Sequence, residues 1–331
     1  MTRRWLAISF CTLFCLSACS DDATPTKKDG TVTKNDGGSD GNPDPCAGTA
    51  GHEKPDCHLL DPVKEPTIEN GTADFTCVGS APQPKQPTKD LIVRGKTKQR
   101  LSNGSDEDKG EVSVEVWTDQ TSLSAATLIA KTKSDATGNY EIKIPKDAWA
   151  KATSSGARVA WRITSNDTVP TVEFNDFLDD KLFKAEGNDL AIEDQERITI
   201  TRATQQVITS LLGVRFDDKK GLILGAIRDC NRKDVGEASA GIVDASGKTV
   251  VGPLFFYFFS DFPVRRDQPC CRFSTTDGLF VAINVDPGKA DTRIVAKVGG
   301  KTTVVSQFSV PVAADTIAIV DFDPLEKPLS K

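Results

Sequence analysis

The chain has only two histidines, His52 and His58, and both sit beside cysteines in the run Cys46-x5-His52-x4-Cys57-His58, with Cys77 further on. Thiolates and imidazoles together hold zinc, but this spacing is not that of a finger or a knuckle. Nine cysteines occur in all. Cys11, Cys15 and Cys19 belong to the N-terminal leader, which leaves Cys46, Cys57, Cys77, Cys230, Cys270 and Cys271 for the body. An even set in an oxidising compartment pairs as disulfides. No metal and no cofactor is therefore expected. Neighbourhood along the chain favours Cys46 with Cys57, and Cys230 with Cys270 or Cys271. The adjacent Cys270-Cys271 then sends one partner to another segment such as Cys77.

Catalytic devices are equally constrained. No histidine lies beyond His58, so a Ser-His-Asp or Cys-His arrangement would need a linker residue folded back onto the body. H-E-x-x-H and G-x-x-x-x-G-K-[ST] are missing from the sequence. Asp176, Asp179 and Asp180 lie close together after Phe174. A glycosidase needs two carboxylates roughly 5 to 9.5 Å apart in a cleft, whereas acidic surface loops are ordinary. A non-enzymatic protein is expected.

The most unusual local sequence is Leu254-Phe255-Phe256-Tyr257-Phe258-Phe259. In an extended strand Phe255, Tyr257 and Phe259 face one way, and Leu254, Phe256 and Phe258 the other. One face must enter a core. The other either packs on a neighbouring element or presents rings to a sugar or peptide, and packing is favoured because so apolar an exposed row invites aggregation. If a ligand surface exists, it is expected at this strand, at Arg265 and Arg266 in the loop that follows, and at Trp117 on the polar face of its own strand.

These residues sit in a chain that begins with a leader. Arg3 and Arg4 precede a short apolar run, Leu16-Ser17-Ala18-Cys19 ends it, and Ser20-Asp21-Asp22 opens a polar stretch. Trp5 to Ala18 is shorter than the roughly 20 apolar residues of a spanning helix and suits a cleaved signal. The run resembles the lipobox of bacterial lipoproteins. That resemblance implies cleavage before Cys19, lipid on Cys19, and attachment to a membrane through two or three acyl chains, each buried CH₂ contributing about 0.8 kcal/mol. Ser20 differs from the aspartate that retains some lipoproteins in the inner membrane, so the outer membrane is expected, on its periplasmic or its surface side. Asp21-Asp22 faintly resembles acidic surface-export tags.

Residues 19–60 are Asp, Gly, Thr, Lys and Pro with almost no large apolar side chain, a composition that cannot offset ordering entropy. A flexible tether is expected. Asn35 to Asn42 superficially suggests a calcium loop but lacks the closing bidentate Glu. Loss of Arg3 and Arg4 with the leader takes the formal charge from −6 to −8, so nothing electrostatic favours nucleic acid.

From Thr88 onward, short alternating runs separated by turn residues mark half-buried antiparallel strands. Val112, Val114 and Val116 alternate with Ser113, Glu115 and Trp117; Tyr140, Ile142 and Ile144 alternate with Glu141 and Lys143. The pattern recurs. Leu91 to Lys98 matches Gly221 to Cys230, Glu111 to Trp117 matches Ser239 to Ala245, and Arg158 to Thr164 matches Arg293 to Gly299. The sharpest match sets Ser134-Asp135-Ala136-Thr137-Gly138-Asn139-Tyr140 against Ser274-Thr275-Thr276-Asp277-Gly278-Leu279-Phe280. Two copies of one β-unit explain it.

Both turns resemble the T-D-x-x-G-x-[FY] hairpin of the carboxypeptidase-regulatory-like (transthyretin-like, prealbumin-like) β-sandwich, and Asn284-Val285-Asp286-Pro287-Gly288 resembles the N-V-P-P-G that follows it there. Thr275 stands where that family has Asp, and the first copy has Ile144-Pro145-Lys146 in place of N-V-P-P-G. The resemblance spans residues 88–180 and 220–325 and implies Ig-like sandwiches of about seven strands without catalytic residues.

Between the copies Ile200, Ala203, Val207, Ile208, Leu211 and Leu212 fall at helical spacing, with Thr199 or Thr201 as N-cap and Gly213 as the stop, predicting a helix over 200–212 that packs its stripe on a sandwich. The expected organisation is all-β: a signal peptide (1–18), a disordered tether (19–60), a first antiparallel sandwich (61–187), a helical connector (188–219) and a second sandwich (220–331). The expected role is a non-catalytic structural or adhesive envelope module contacting an envelope protein or glycan. A carbohydrate-binding accessory protein is the alternative, and a glycan hydrolase a third class.

Overall fold

The computed structural model describes residues 62–81, 83–102, 105–121, 123–152, 156–259, 262–265 and 273–325. A short hairpin, β1 (Thr67–Ile68) and β2 (Gly71–Thr72), comes first. The first repeat contains β3 (Leu91–Arg100), β4 (Asp106–Asp108), β5 (Ser113–Trp117), β6 (Ala130–Lys133), β7 (Asn139–Ile144), β8 (Arg158–Thr164), β9 (Thr168–Val169), β10 (Thr171–Phe177), β11 (Lys184–Glu186) and β12 (Asp189–Thr201). Helix α1 (Arg202–Leu211) leads to the second repeat: β13 (Gly221–Ile227), β14 (Ser239–Val243), β15 (Leu254–Phe259), β16 (Phe262–Arg265), β17 (Leu279–Val285), β18 (Gly288–Val298), β19 (Lys301–Val312) and β20 (Ile317–Phe322). The chain is all-β with one α-helix among the described residues.

The repeat seen in the sequence is a repeat of hydrogen bonds. Ser134 N donates to Val112 O and its Oγ accepts from Val112 N; Ser274 N donates to Ala238 O and its Oγ accepts from Ala238 N. Gly138 and Gly278 hold φ of +85° and +65°, and their carbonyls accept from Thr97 N and Ile227 N. A side chain at Gly138 would strike the carbonyl oxygen of Thr97 and one at Gly278 that of Ile227, so the turn demands glycine twice over. Both strand matches shift from the sequence alignment. The bonds to Ser134 and Ser274 make Ala238 the counterpart of Val112, so Val114 corresponds to Ala240 rather than Ile242. Because Val114 pairs with Ile163 and Ala240 with Ile294, Ile163 corresponds to Ile294 rather than Val298.

The two sandwiches are fused rather than merely tandem. A nine-stranded sheet runs β16-β15-β17-β13-β20-β10-β8-β5-β6, so strands of both repeats share one ladder. The seam is β20, which pairs in parallel with β10 on one side and β13 on the other. Together with β12 on β3 these are parallel pairings in a fold expected to be antiparallel throughout. A front sheet, β11-β12-β3-β4 with β7 and β9, covers one face of the first half; a back sheet, β14-β18-β19, covers the opposite face of the second half. The side chains show it. On β8, Val159, Trp161 and Ile163 pack with Leu91, Val93 and Ile142 of the front sheet, whereas Ala160 joins Ile242, Ile294 and Val310 of the back sheet.

The segment expected as a helical connector opens with the 13-residue strand β12. Thr201 caps α1, its hydroxyl accepting from Thr204 N at 3.0 Å, and Gly213 at φ +65° ends it. The buried side is not the expected stripe: Thr204, Gln205 and Thr209 face inward, while Ala203 and Val207 are exposed. The cap and a Thr204 hydroxyl donated to Arg100 O set this rotation, and Arg202 on Asp315 locks it.

Residues 62–80, expected with the first sandwich, pack on the second. Thr67 bridges Gly236, Glu65 accepts from Gly299 N and Gly300 N, and buried Phe75 joins the core with Ile227, Val235 and Phe280. Cys77 bonds to Cys230 with Cα atoms 5.9 Å apart, which corrects the pairing of Cys230 with Cys270 or Cys271. The strap positions Cys77 there: Asp74 N donates to Asp229 Oδ2 and Cys230 N to Asp74 O. This bond closes a loop of sequence separation 153, for which chain entropy predicts roughly 5 kcal/mol of stabilisation. A Cys77→Ser/Cys230→Ser protein is expected to unfold at clearly lower urea concentration. An unchanged midpoint would show that the strap holds without its covalent tie.

Candidate functional site

The aromatic strand is spent on packing. Phe255 and Tyr257 lie in the core beneath the back sheet, and Leu254, Phe256 and Phe258 lie on the other face with Leu222, Ile283 and Ile319. Tyr257 is 1% exposed and its hydroxyl accepts from Ala240 N at 2.7 Å, so the phenol ties β15 to β14. Trp117 is 0% exposed. Its indole N–H donates to Ser124 O at 3.0 Å, and the Arg162 guanidinium lies 5.2 Å from its ring. Burial therefore removes Phe255, Tyr257 and Trp117 from any ligand surface. The expected polar face of β5 is covered by the second half. Phe259 and Arg265 are placed by backbone only, at the β15–β16 hairpin, and Arg266 lies outside the described residues.

Cys19, Cys46, Cys57, Cys270, Cys271 and both histidines also lie outside the described residues. Within them no three His, Cys, Asp or Glu side chains gather as a metal site.

The acidic run after Phe174 is divided by the fold. Asp179 caps a single turn by accepting from Lys181 N. Asp176 points inward, where its carboxylate accepts from Trp161 Nε1 at 2.7 Å and from Arg197 at 2.8 Å. Arg197, on β12, also meets Glu173 at 3.0 Å and stacks 4.3 Å over Trp161. All three charges are at most 4% exposed. Beside them Tyr140 donates to Gln195 O at 2.9 Å, and burial pushes its hydroxyl up to about 12. Two carboxylates sharing one sealed guanidinium hold the front sheet on the shared sheet and present nothing to a substrate.

A second network sits where β10, β20 and β13 end. Asp323 takes Arg158 at 2.6 Å and Arg232 at 2.8 Å, and the Phe177 ring lies between those guanidiniums, 5.2 and 4.1 Å away. Asn175, in the left-handed region at φ +57°, donates from Nδ2 to Asp321 O. Burial works against the Asp323 charge, but Arg158 and Arg232 overcome it and hold the carboxyl below its usual range. The network locks the first repeat to the second.

The charged surface open to solvent is the outer face of the front sheet. Arg94 meets Glu141 at 2.6 Å, Glu186 at 2.7 Å and Glu193 at 2.9 Å; Lys98 meets Glu196, and Lys143 meets Asp189. Hydrogen bonds from Arg94 hold the Glu186 carboxyl below its ordinary value. The ladder is mixed in sign and half-exposed. Its signal in the sequence is the alternation Arg94, Lys96, Lys98, Arg100.

No family model and no curated protein sequence matches the chain. Among solved structures it is similar to a shaft pilin of Lactobacillus rhamnosus GG (8% identity, 72% of this chain and 98% of that chain, TM-score 0.21). It is also similar to the Bacillus anthracis TIE protein (11% identity, 72% of this chain and 34% of that chain, TM-score 0.22). A 3-chlorocatechol 1,2-dioxygenase of Rhodococcus opacus matches over 42% of this chain and 72% of its own at 13% identity and TM-score 0.22. Likenesses this distant assign no activity.

Two measurements test the sealed cluster. Arg197→Met leaves Glu173 and Asp176 buried without their guanidinium and is expected to cost about 3 to 5 kcal/mol in urea unfolding. Tyr140 keeps its proton in the folded state longer than in the unfolded state. Its contribution is thus complete below about pH 10 and lost as pH rises towards 12, a fall of roughly 2 to 3 kcal/mol. Tyr140→Phe should flatten that alkaline slope.

Proposed function

We propose that this chain is a lipid-anchored envelope lipoprotein whose fused sandwiches serve as a non-catalytic structural or adhesive module. The observation that carries the second half is the shared sheet: its interior charges are sealed against each other, and the outer face of the front sheet presents a ladder of paired charges. Such an architecture favours holding shape and contacting another surface over turnover. The leader Arg3 to Cys19 and the polar residues after it support an anchor on Cys19 and outer-membrane placement. The doubled Gly138 and Gly278 turns support kinship with the carboxypeptidase-regulatory-like sandwiches. The partner is an envelope protein or glycan met through Arg94, Lys96 and Lys98 and their acids.

Metabolic labelling with palmitate is expected to mark the wild type and not Cys19→Ser; an unlabelled wild type would refute the anchor. Separately, lipid-free Cys19→Ser protein is expected to be retained on immobilised envelope polysaccharide or outer-membrane protein, with retention falling as salt rises. Arg94→Glu should weaken it at least several-fold. Retention indifferent to both salt and Arg94→Glu would move the contact off this face.

A further inference from the structure

Most asparagine side chains of this fold are put to structural use. Asn139 donates from Nδ2 to Asp135 Oδ2 at 3.1 Å, Asn175 to Asp321 O at 2.6 Å, Asn231 to Asp74 Oδ2 at 3.4 Å and Asn284 to Arg215 O at 3.1 Å. Asn175 and Asn284 also occupy the left-handed region, at φ +57° and +60°, which asparagine tolerates. Asn70 and Asn166 differ on both counts. They are exposed in turns, neither is left-handed, and neither side chain has a bonding partner among the described residues. Asn188 is equally free and is followed by Asp189-Leu190. Asn70-Gly71-Thr72 and Asn166-Asp167-Thr168, by contrast, have a hydroxyl two places on and no proline between. That pattern is the acceptor sequence for N-linked glycans.

The fold separates the two sequences. Thr168 is 4% exposed and its hydroxyl accepts from Ser165 N at 3.2 Å, so the third residue of the second one is spent on closing its own turn. Asn70 lies at the tip of the hairpin in which Thr67 pairs with Thr72 and Ile68 with Gly71. Glu69, Asn70, Gly71 and Thr72 are all exposed, and the Thr72 hydroxyl has no partner among the described residues. A Cβ placed on Gly71 would have only Ile68, its own hairpin partner, within 4 Å. The tip therefore stands clear of the body. The strap is held elsewhere, through Glu65, Phe75 and Cys77, so a bulky group on Asn70 displaces none of those contacts.

We propose that Asn70 is a glycan acceptor, taking a preassembled oligosaccharide from a polyprenyl diphosphate donor through an oligosaccharyltransferase of the producing cell. Asn70 Nδ2 forms a bond to the anomeric carbon of the first sugar. The bond from that carbon to the diphosphate oxygen breaks, the polyprenyl diphosphate leaves with the electron pair, and Nδ2 gives up one proton. Nothing is oxidised or reduced. The proposal rests on the export half of the reading above, because the transfer is made outside the cytoplasm. Thr72 acts as a positioning residue, its free hydroxyl presenting Asn70 to the transferase, and Thr168 is withheld from that task by Ser165.

Peptide mass spectrometry on the full chain, purified from the cells that produce it, tests this. The peptide holding Asn70 is expected to carry sugar mass and the peptide holding Asn166 none. Thr72→Ala should lower occupancy of Asn70 at least several-fold, Thr72→Ser should keep it, and Asn70→Gln should abolish it, each in protein with the wild-type circular dichroism spectrum. Palmitate labelling of the same samples separates this proposal from the anchor. Lipid on Cys19 with a bare Asn70 overturns the glycan alone, whereas sugar on Asn70 without lipid supports the glycan and overturns the anchor. A bare Asn70 in the wild type, or occupancy that Thr72→Ala leaves unchanged, overturns the proposal.

Discussion

Four residue pairs in parallel register, Thr171 to Phe174 against Ile317 to Val320, decide what the rest of this molecule can be. Through them two sandwiches become one sheet whose central strands have packed layers on both faces. A strand with one wet face can place polar side chains there; β13, β17 and β20 cannot, and accordingly read GLILGAI, LFVAINV and IAIVDF. Where charges do enter, as at Arg197, Glu173 and Asp176, they must arrive as a complete set, because a lone buried charge costs several kcal/mol. The same constraint explains Trp117. Its strand looks amphipathic in isolation, but the face with Glu115 and Trp117 belongs to the shared sheet, and the second half closes over the ring.

How much of this was legible depends on the range of the cause. The Ser134–Tyr140 and Ser274–Phe280 turns were legible because a left-handed glycine, an Asp135 or Thr275 side chain accepting from a backbone amide two residues on, and a core aromatic all act within seven residues. The Thr201 cap and the Gly213 stop were legible for the same reason. The seam was not, since β10 and β20 lie far apart in the chain and neither carries a mark of its partner. One clue was present. Continuous apolar runs without alternation signal burial on both faces, and β13, β15, β17 and β20 all have it. The aromatic strand fits this reading, with packing on both sides prevailing over display.

The strap shows a second way in which sequence order misleads. Residues 62–80 precede the first repeat yet complete the second, supplying Phe75 to its core and Cys77 to Cys230. Six cysteines along a chain invite pairing of neighbours, but a disulfide needs Cα atoms about 4.4 to 6.8 Å apart in the fold. Asp74 N donating to the Asp229 carboxylate and Cys230 N donating to Asp74 O bring about that approach. Their spacing in sequence carries no trace of it.

Strap, seam and Asp323 network together decide which parts of the molecule are held and which are left open. The strap ends beside Leu325, since Gly79 N donates to Leu325 O, so the end of the strap and the residues after β20 meet at the second repeat. The first repeat is held at β10 by the seam and at Arg158 by Asp323, both on its inner side. Its outer strands β3, β4 and β7 carry the charge ladder away from that meeting point. The two repeats are thus joined through a continuous sheet rather than through a linker. The division is physical: the charges that order the fold are sealed against one another, whereas the paired charges left outside, screened by solvent, stabilise little on their own.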